Sequence, residues 1–237
     1  MPTERLYWKD DHAVNATAII IAVRDNAVAL DRTCFYAGGG GQSPDTGWLH
    51  HHGNRIPVTS VEASADGHIW HLLDVPAGSP GDTVTVEIDA DCRNALARYH
   101  SALHVVNTIA LRDYNAWITG AQIGTDYSRI DFKWEGFAPA IAAEMEQKVN
   151  AVLATRATLR SFWLEEAVFA RRPHLLRTLD VRLPVHQGHS RVVTIDGFDE
   201  QACGGTHVAH LGEVGRFSVT RTENKGRSNK RLYVKLD

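Results

Sequence analysis

The 237-residue chain is 43% hydrophobic and 22% charged, an ordinary globular composition that suits one large or two modest domains. Its formal net charge of −3 excludes a globally basic nucleic-acid binder, and no apolar run is long enough to span a membrane. Three cysteines give no even disulfide framework, and the charged N-terminus is unlike a signal peptide, so we expect a cytoplasmic protein.

Residues 1–89 carry short apolar segments that predict a small β-barrel or sandwich domain. Turns rich in glycine, aspartate and proline separate these segments, and residues 75–82 are predicted to form a loop. The strand candidates are residues 16–23, 27–31, 56–58, 68–73 and 83–88. Such spacing is typical of small all-β domains.

Four consecutive glycines, Gly38, Gly39, Gly40 and Gly41, interrupt this domain. The run lacks the Lys-Ser/Thr ending of a phosphate-binding loop and is not placed between a strand and a helix. It is either a flexible loop or a backbone surface that packs against the substrate end of a nucleic acid. Three nearby histidines, His50, His51 and His52, are expected to be exposed loop residues rather than ligands.

From Asp89 onward, helical periodicity mixed with strand patterns predicts an α+β domain over residues 90–237. Asp89 or Asp91 can cap a helix over residues 93–111, and apolar residues three to four apart predict a second helix over residues 139–154. A short helix is expected within residues 165–171, strands at 127–132 and 192–195, and a closing hairpin from 217–220 and 231–236.

Two pairs of side chains suggest a metal site. Within the first helix, His100 and His104 are four residues apart and therefore share one face. Cys203 and His207 are separated by two glycines and a threonine, a spacer that favours a tight turn. Three imidazoles and one thiolate suit tetrahedral zinc, so we predict that these four residues converge on one Zn²⁺ ion.

These strings also resemble a known family. His-Ser-Ala-Leu-His at 100–104 and Cys-Gly-Gly-Thr-His at 203–207 resemble the editing domain of alanyl-tRNA synthetase and the free-standing AlaX proteins, which are alanyl-tRNA editing hydrolases. Residues 120–132 and 225–236 are similar to strands of this family, and the stretch 34–47 is similar to the glycine-rich motif of its longer members. The resemblance covers nearly the whole chain, and the synthetase's aminoacylation domain has no counterpart in it.

The resemblance implies an N-terminal β-barrel domain at 1–89 and an α+β editing domain at 90–237, of the threonyl/alanyl-tRNA synthetase second additional domain type. It implies that Zn²⁺ is the cofactor and mischarged alanine tRNA the partner, with no membrane involved. Seryl-tRNA(Ala), and often glycyl-tRNA(Ala), would be deacylated in trans. The residues implied to bind the metal and to carry catalysis are His100, His104, Cys203 and His207.

Substrate contacts are implied at further positions. A polar side chain that binds the serine hydroxyl would spare alanine, because alanine leaves that group unpaired. By position Thr119 is the first candidate and Gln122 the second, and the alternative for Thr119 is an ordinary strand residue. The glycine run would contact the substrate end. Lys225 and Arg227 belong to a basic C-terminal cluster that either follows RNA phosphates or is a solvated hairpin.

Two functions of different classes remain open. One is a zinc-dependent aminoacyl-tRNA hydrolase, and the other is a non-catalytic, zinc-stabilised tRNA-binding module. A metallohydrolase of small esters or amides is a third. If all four residues ligate at once the site is closed, so a catalytic water would need one ligand to stay out. The sequence indicates neither which ligand is labile nor the oligomeric state.

Overall fold

The computed structural model describes residues 2–177, 185–226 and 228–237 and shows an α+β fold, which confirms the predicted class. The α-helices in these ranges are α1 (Ala90–Tyr114), α2 (Pro139–Leu153) and α3 (Glu166–Phe169). The strands are β1 (Glu4–Arg5), β2 (Asn15–Arg24), β3 (Ala27–Leu30), β4 (Arg32–Thr33), β5 (Gly47–His51), β6 (Asn54–Ala63), β7 (Ile69–Leu73), β8 (Thr83–Ile88), β9 (Trp117–Ile123), β10 (Ser128–Lys133), β11 (Leu159–Glu165), β12 (Val185–His186), β13 (His189–Ile195), β14 (Asp199–Ala202), β15 (Phe217–Asn224) and β16 (Asn229–Leu236).

The fold consists of two compact units. The first contains the residues up to Gly39 together with Ser43–Asn94, and the second contains Gly40–Gln42 together with Ala95–Asp237. Within the described ranges, no helix is both long enough and apolar enough to cross a membrane.

The first unit is a closed six-stranded barrel with the strand order β2-β3-β7-β6-β5-β8. Its core follows from period-two alternation, since Val84, Val86 and Ile88 of β8 are buried while the residues between them are not. The same alternation buries Ile56 and Val58 of β6. The predicted strands therefore form, and the barrel alternative is the one adopted.

The predicted histidine loop is wrong. His50 and His51 belong to β5, which pairs with both β6 and β8, and the two side chains are only partly exposed. His52 is exposed, at the turn after the strand. The sequence signal for a strand is weak here because Leu49 is flanked by polar or amphipathic residues. The strand forms because closure of the barrel pairs it with β6 and β8.

Most of α1 belongs to the second unit, and its middle is buried on all sides, since every residue from 99 to 110 is buried. The Asp89 carboxylate caps the helix by accepting a hydrogen bond from the Cys92 backbone N–H at 3.0 Å. The helix is longer than predicted at both ends. Because residues 99–110 are all buried, the polar side chains among them need hydrogen-bond partners inside the protein.

Two sheets accompany α1 in the second unit. One has the order β15-β16-β10-β9, and the other has the order β11-β13-β12 with β14 paired to β13. The α2 helix presents Met145, Val149 and Leu153 at four-residue intervals to the core. A register shift where β9 pairs with β10 leaves Thr119 as the extra residue of a bulge.

Candidate metal centre

Both histidines of α1 are buried, with 5% of His100 and 7% of His104 exposed. Their four-residue separation places the two rings on one face with centroids 5.1 Å apart. A buried imidazole without a partner is costly, so a pair of them needs compensation. The loop after β14 approaches this helix face.

That loop begins with Cys203, whose backbone N–H donates to the Arg191 carbonyl at 3.1 Å. The Arg191 guanidinium in turn donates to the carbonyls of Cys203 at 3.1 Å and Gly205 at 2.8 Å. A Cβ atom on Gly205 would lie 2.2 Å from Cε1 of His100, so no side chain fits there. The glycine is therefore required by close approach rather than by its φ angle.

The four predicted ligands converge. One donor atom from each of His100, His104, Cys203 and His207 lies within 4.8 Å of the other three, and all four residues are buried. Cys203 Sγ is 3.4 Å from Nε2 of both His100 and His207. With Zn–N near 2.1 Å and Zn–S near 2.3 Å, tetrahedral angles place N and S about 3.6 Å apart. The donor set and its spacing therefore fit a metal ion.

The tautomer of His100 follows from Gln42. The Gln42 amide nitrogen donates to the Thr206 hydroxyl at 2.8 Å, so its carbonyl oxygen Oε1 is the atom that faces His100 Nδ1 at 2.7 Å. Since that oxygen can only accept, Nδ1 carries the proton. The Nε2 lone pair of His100 therefore faces Cys203 Sγ, as a metal ligand requires.

The same logic holds for His207. The Ser101 hydroxyl donates to the Ala97 carbonyl at 2.8 Å, and its oxygen lies 3.2 Å from His207 Nδ1. Because its proton is used, the hydroxyl oxygen accepts from Nδ1–H. Nε2 of His207 is thus also free to ligate. His104 Nδ1 is buried and makes no hydrogen bond within the described ranges.

Electrostatics keep these imidazoles neutral. Burial, followed by the positive charge of Arg191, lowers the pKa of His100 to about 3. Burial also holds the pKa of His104 and of His207 well below the usual value. Neutral imidazole is the form that binds metals. By contrast, burial in the barrel raises the pKa of Cys34 to about 12, so that thiol is inert.

Comparison with known proteins decides the family. The chain is 35% identical to "Alanyl-tRNA editing protein AlaX-M" of Saccharolobus solfataricus across 98% of both chains. The chain belongs to the AlaX family of alanyl-tRNA editing proteins. The protein of the same name from Methanosarcina acetivorans is 34% identical across 99% of both chains. The alanine–tRNA ligase of Korarchaeum cryptofilum is 33% identical over 93% of this chain and 25% of its own length.

Two family descriptions match parts of this AlaX chain. Residues 190–233 match "Threonyl and Alanyl tRNA synthetase second additional domain", which contains the Cys203 and His207 loop. Residues 9–92 match "tRNA synthetases class II (A)". The two matches lie on the C-terminal half of the second unit and on the barrel, respectively.

The glycine run of this AlaX protein is ordered by specific contacts. Gly38, Gly39, Gly40 and Gly41 all have positive φ angles, from 58° to 122°. The Gly41 carbonyl accepts from the Ile123 N–H at 2.7 Å, and Gln42 forms a parallel bridge to the same residue. These contacts position Gln42, which follows the run, beside His100. Gln42 lies within the glycine-rich stretch 34–47, and its contact with His100, 58 residues away, has no signal in local sequence patterns.

Thr119 and Gln122 do not join the cluster by hydrogen bonds in the part of the chain that the structure describes. Thr119 is exposed in the β9 bulge. Gln122 is also exposed and accepts a hydrogen bond from the Arg129 guanidinium at 2.8 Å. Both side chains are accessible to a ligand, and their roles remain predictions.

Some side chains of the basic C-terminal cluster form ion pairs within the protein. Lys225 is exposed at the tip of the β15–β16 hairpin, and Arg227 lies outside the described residues. Arg231 forms a bidentate ion pair with Asp131, with both N–O distances 2.6 Å. Its charge is therefore balanced by a neighbouring strand, whereas Lys225 presents its side chain to solvent.

Proposed function

We propose that this chain is a trans-editing hydrolase that uses Zn²⁺ to remove serine from mischarged seryl-tRNA(Ala), with glycyl-tRNA(Ala) as a further substrate. The observation that carries the proposal is the buried cluster of three imidazoles and one thiol, with Nε2 of His100 and His207 facing Cys203 Sγ. The names of the relatives, alanyl-tRNA editing proteins, support the substrate class. We place this activity in the cytoplasm, where charged tRNA is used.

The substrate is an activated ester, so its hydrolysis requires little beyond orientation and stabilisation of negative charge on the ester oxygen. A bound zinc ion supplies Lewis acidity for this chemistry. His100, His104, Cys203 and His207 would hold the ion, and Gln42 and Ser101 fix two of the imidazole tautomers. Four simultaneous protein ligands would close the site, so hydrolysis would require one of them to withdraw.

Recognition of the substrate involves further residues in this proposal. Thr119, with Gln122 second, would bind the serine hydroxyl that alanine lacks. Gly38–Gly41 would face the aminoacylated end, since glycine permits close approach. Exposed Lys225 would contact tRNA phosphates, and Arg227 is assigned to the same role on sequence alone.

The decisive test uses metal-replete protein with seryl-tRNA(Ala) and alanyl-tRNA(Ala). We expect release of serine and little release of alanine. The double variant Cys203→Ala with His207→Ala should lose both zinc and activity, whereas the matched control Cys92→Ser should retain both. Full zinc occupancy in the double variant would place the metal elsewhere.

The remaining functions give different results in the same assay. Binding of tRNA without serine release would identify a zinc-stabilised binding module. Turnover of small esters or amides without tRNA would identify a general metallohydrolase. Either result contradicts the proposed editing activity.

A further inference from the structure

A second group of possible metal ligands lies in the barrel. His51 ends β5, His52 begins the turn to β6, and Asp82 directly precedes β8. One donor atom from each of these residues lies within 4.8 Å of the other two. All three belong to the first unit, so this group is independent of the Cys203 cluster.

The turn between β5 and β6 consists of His52 and Gly53. His52 and Gly53 have φ angles of 47° and 79°, the doubly left-handed arrangement of a tight hairpin turn. Asparagine is the usual residue at the first position, because other side chains are strained there. The His52 ring lies beside that of His51, with ring centroids 4.0 Å apart.

The contact between His51 and Asp82 is not an ordinary hydrogen bond. His51 Nε2 lies 3.2 Å from Asp82 Oδ2, yet in the described residues this buried nitrogen has no aligned hydrogen-bond partner. The His51 side chain is only 11% exposed, and the Ser79 N–H holds the Asp82 carboxylate by donating to the same oxygen at 2.8 Å. Close, unaligned donor atoms are the arrangement expected of two ligands that point at a common ion.

We propose that His51, His52 and Asp82 form a second metal site, specific to divalent first-row transition ions such as Ni²⁺ and Zn²⁺. Two imidazoles and one carboxylate suit these ions better than Mg²⁺ or Ca²⁺, which prefer oxygen ligands. The ion would lie at the end of the barrel where β5 turns into β6, with its other coordination positions filled by water. This site does not depend on the proposed editing function.

The test is calorimetric titration of NiCl₂ into tag-free protein that carries one equivalent of Zn²⁺, which the four-ligand Cys203 site binds in preference to the three-ligand site. We expect one Ni²⁺ bound per chain. His52→Asn removes a ligand but suits the left-handed turn, so it should weaken Ni²⁺ binding at least tenfold while preserving or raising the melting temperature. Asp82→Asn should also weaken binding. Zinc content, measured in parallel, should stay constant.

The matched control is His50→Gln, because His50 adjoins the group on the same strand but pairs with Glu87 at 2.8 Å. This variant should bind Ni²⁺ as tightly as the unaltered protein. Absence of Ni²⁺ binding, binding that survives His52→Asn, or equal loss in His50→Gln would each overturn the proposal.

Discussion

Gln42 accepts a hydrogen bond from Nδ1 of His100 at 2.7 Å and thereby leaves the opposite ring nitrogen free to face Cys203. The Thr206 N–H also donates to this carbonyl oxygen, at 3.2 Å. One buried amide therefore orients a proposed ligand on the helix and the loop that carries two others. Partners of this kind tune metal affinity through the ligands they orient.

Replacement of this amide should weaken metal binding. Gln42→Leu removes the acceptor for Nδ1–H, so we expect zinc affinity to fall about 10- to 100-fold. Competition with a chromophoric chelator measures the change. Gln122→Leu is the matched control, because its exposed side chain contacts Arg129 rather than a proposed ligand, and its zinc affinity should be unaltered. Equal affinities in all three proteins would contradict the positioning role.

Substitutions at two neighbouring glycines distinguish the cost of backbone strain from the cost of a steric clash. Gly40 and Gly41 have φ angles of 58° and 88°, so alanine is strained at both, by about 1–2 kcal/mol. A Cβ on Gly41 would lie 2.7 Å from the Ala121 carbonyl oxygen, whereas one on Gly40 meets nothing within 4 Å. Gly41→Ala should therefore be less stable in urea than Gly40→Ala by about 1 kcal/mol or more, and less active in deacylation. Equal stability and activity in the two variants would show that the contact with Ala121 costs nothing beyond backbone strain.

Selectivity between serine and alanine provides a third test. A hydroxyl-binding group can supply about 2–4 kcal/mol, or about thirty- to several-hundredfold discrimination. Thr119→Val keeps the shape and removes the hydroxyl, so the ratio of serine to alanine release should narrow while zinc content is unaltered. Gln122→Ala tests the second candidate. If neither variant changes the ratio, serine is recognised by another residue.

Acid stability of the barrel should depend on His71. Burial lowers the pKa of this histidine to about 4, and its Nε2 lies 2.8 Å from the Thr33 hydroxyl. Because the unfolded chain takes up this proton near pH 6.5 and the folded chain does not, stability is full above pH 6.5 and falls as pH approaches 4. The free energy of unfolding in urea should fall between pH 7 and pH 4.5. We expect this fall to be smaller by about 2–3 kcal/mol in His71→Gln than in the unaltered protein. An unchanged difference between the two pH values would show that His71 titrates normally.

Much of this architecture follows from local patterns. Alternation in β8 and the apolar spacing of α2 predict elements that form, and the paired strings at His100 and Cys203 predict the side chains that converge. The strand β5 and the contact of Gln42 with His100 depend on pairing between distant segments, for which local periodicity carries no signal. The bulge at Thr119 is likewise a property of two paired strands rather than of one sequence.

Gly205 contributes to the proposed metal site because it lacks a side chain. The His100 ring occupies the volume in which any other amino acid would place its Cβ. In a saturation-mutagenesis screen for zinc retention, this position should be as intolerant as a ligand, although it has no donor atom. A search for ligand side chains would overlook this glycine. The residues that a metal site requires can therefore include positions that do not contact the metal.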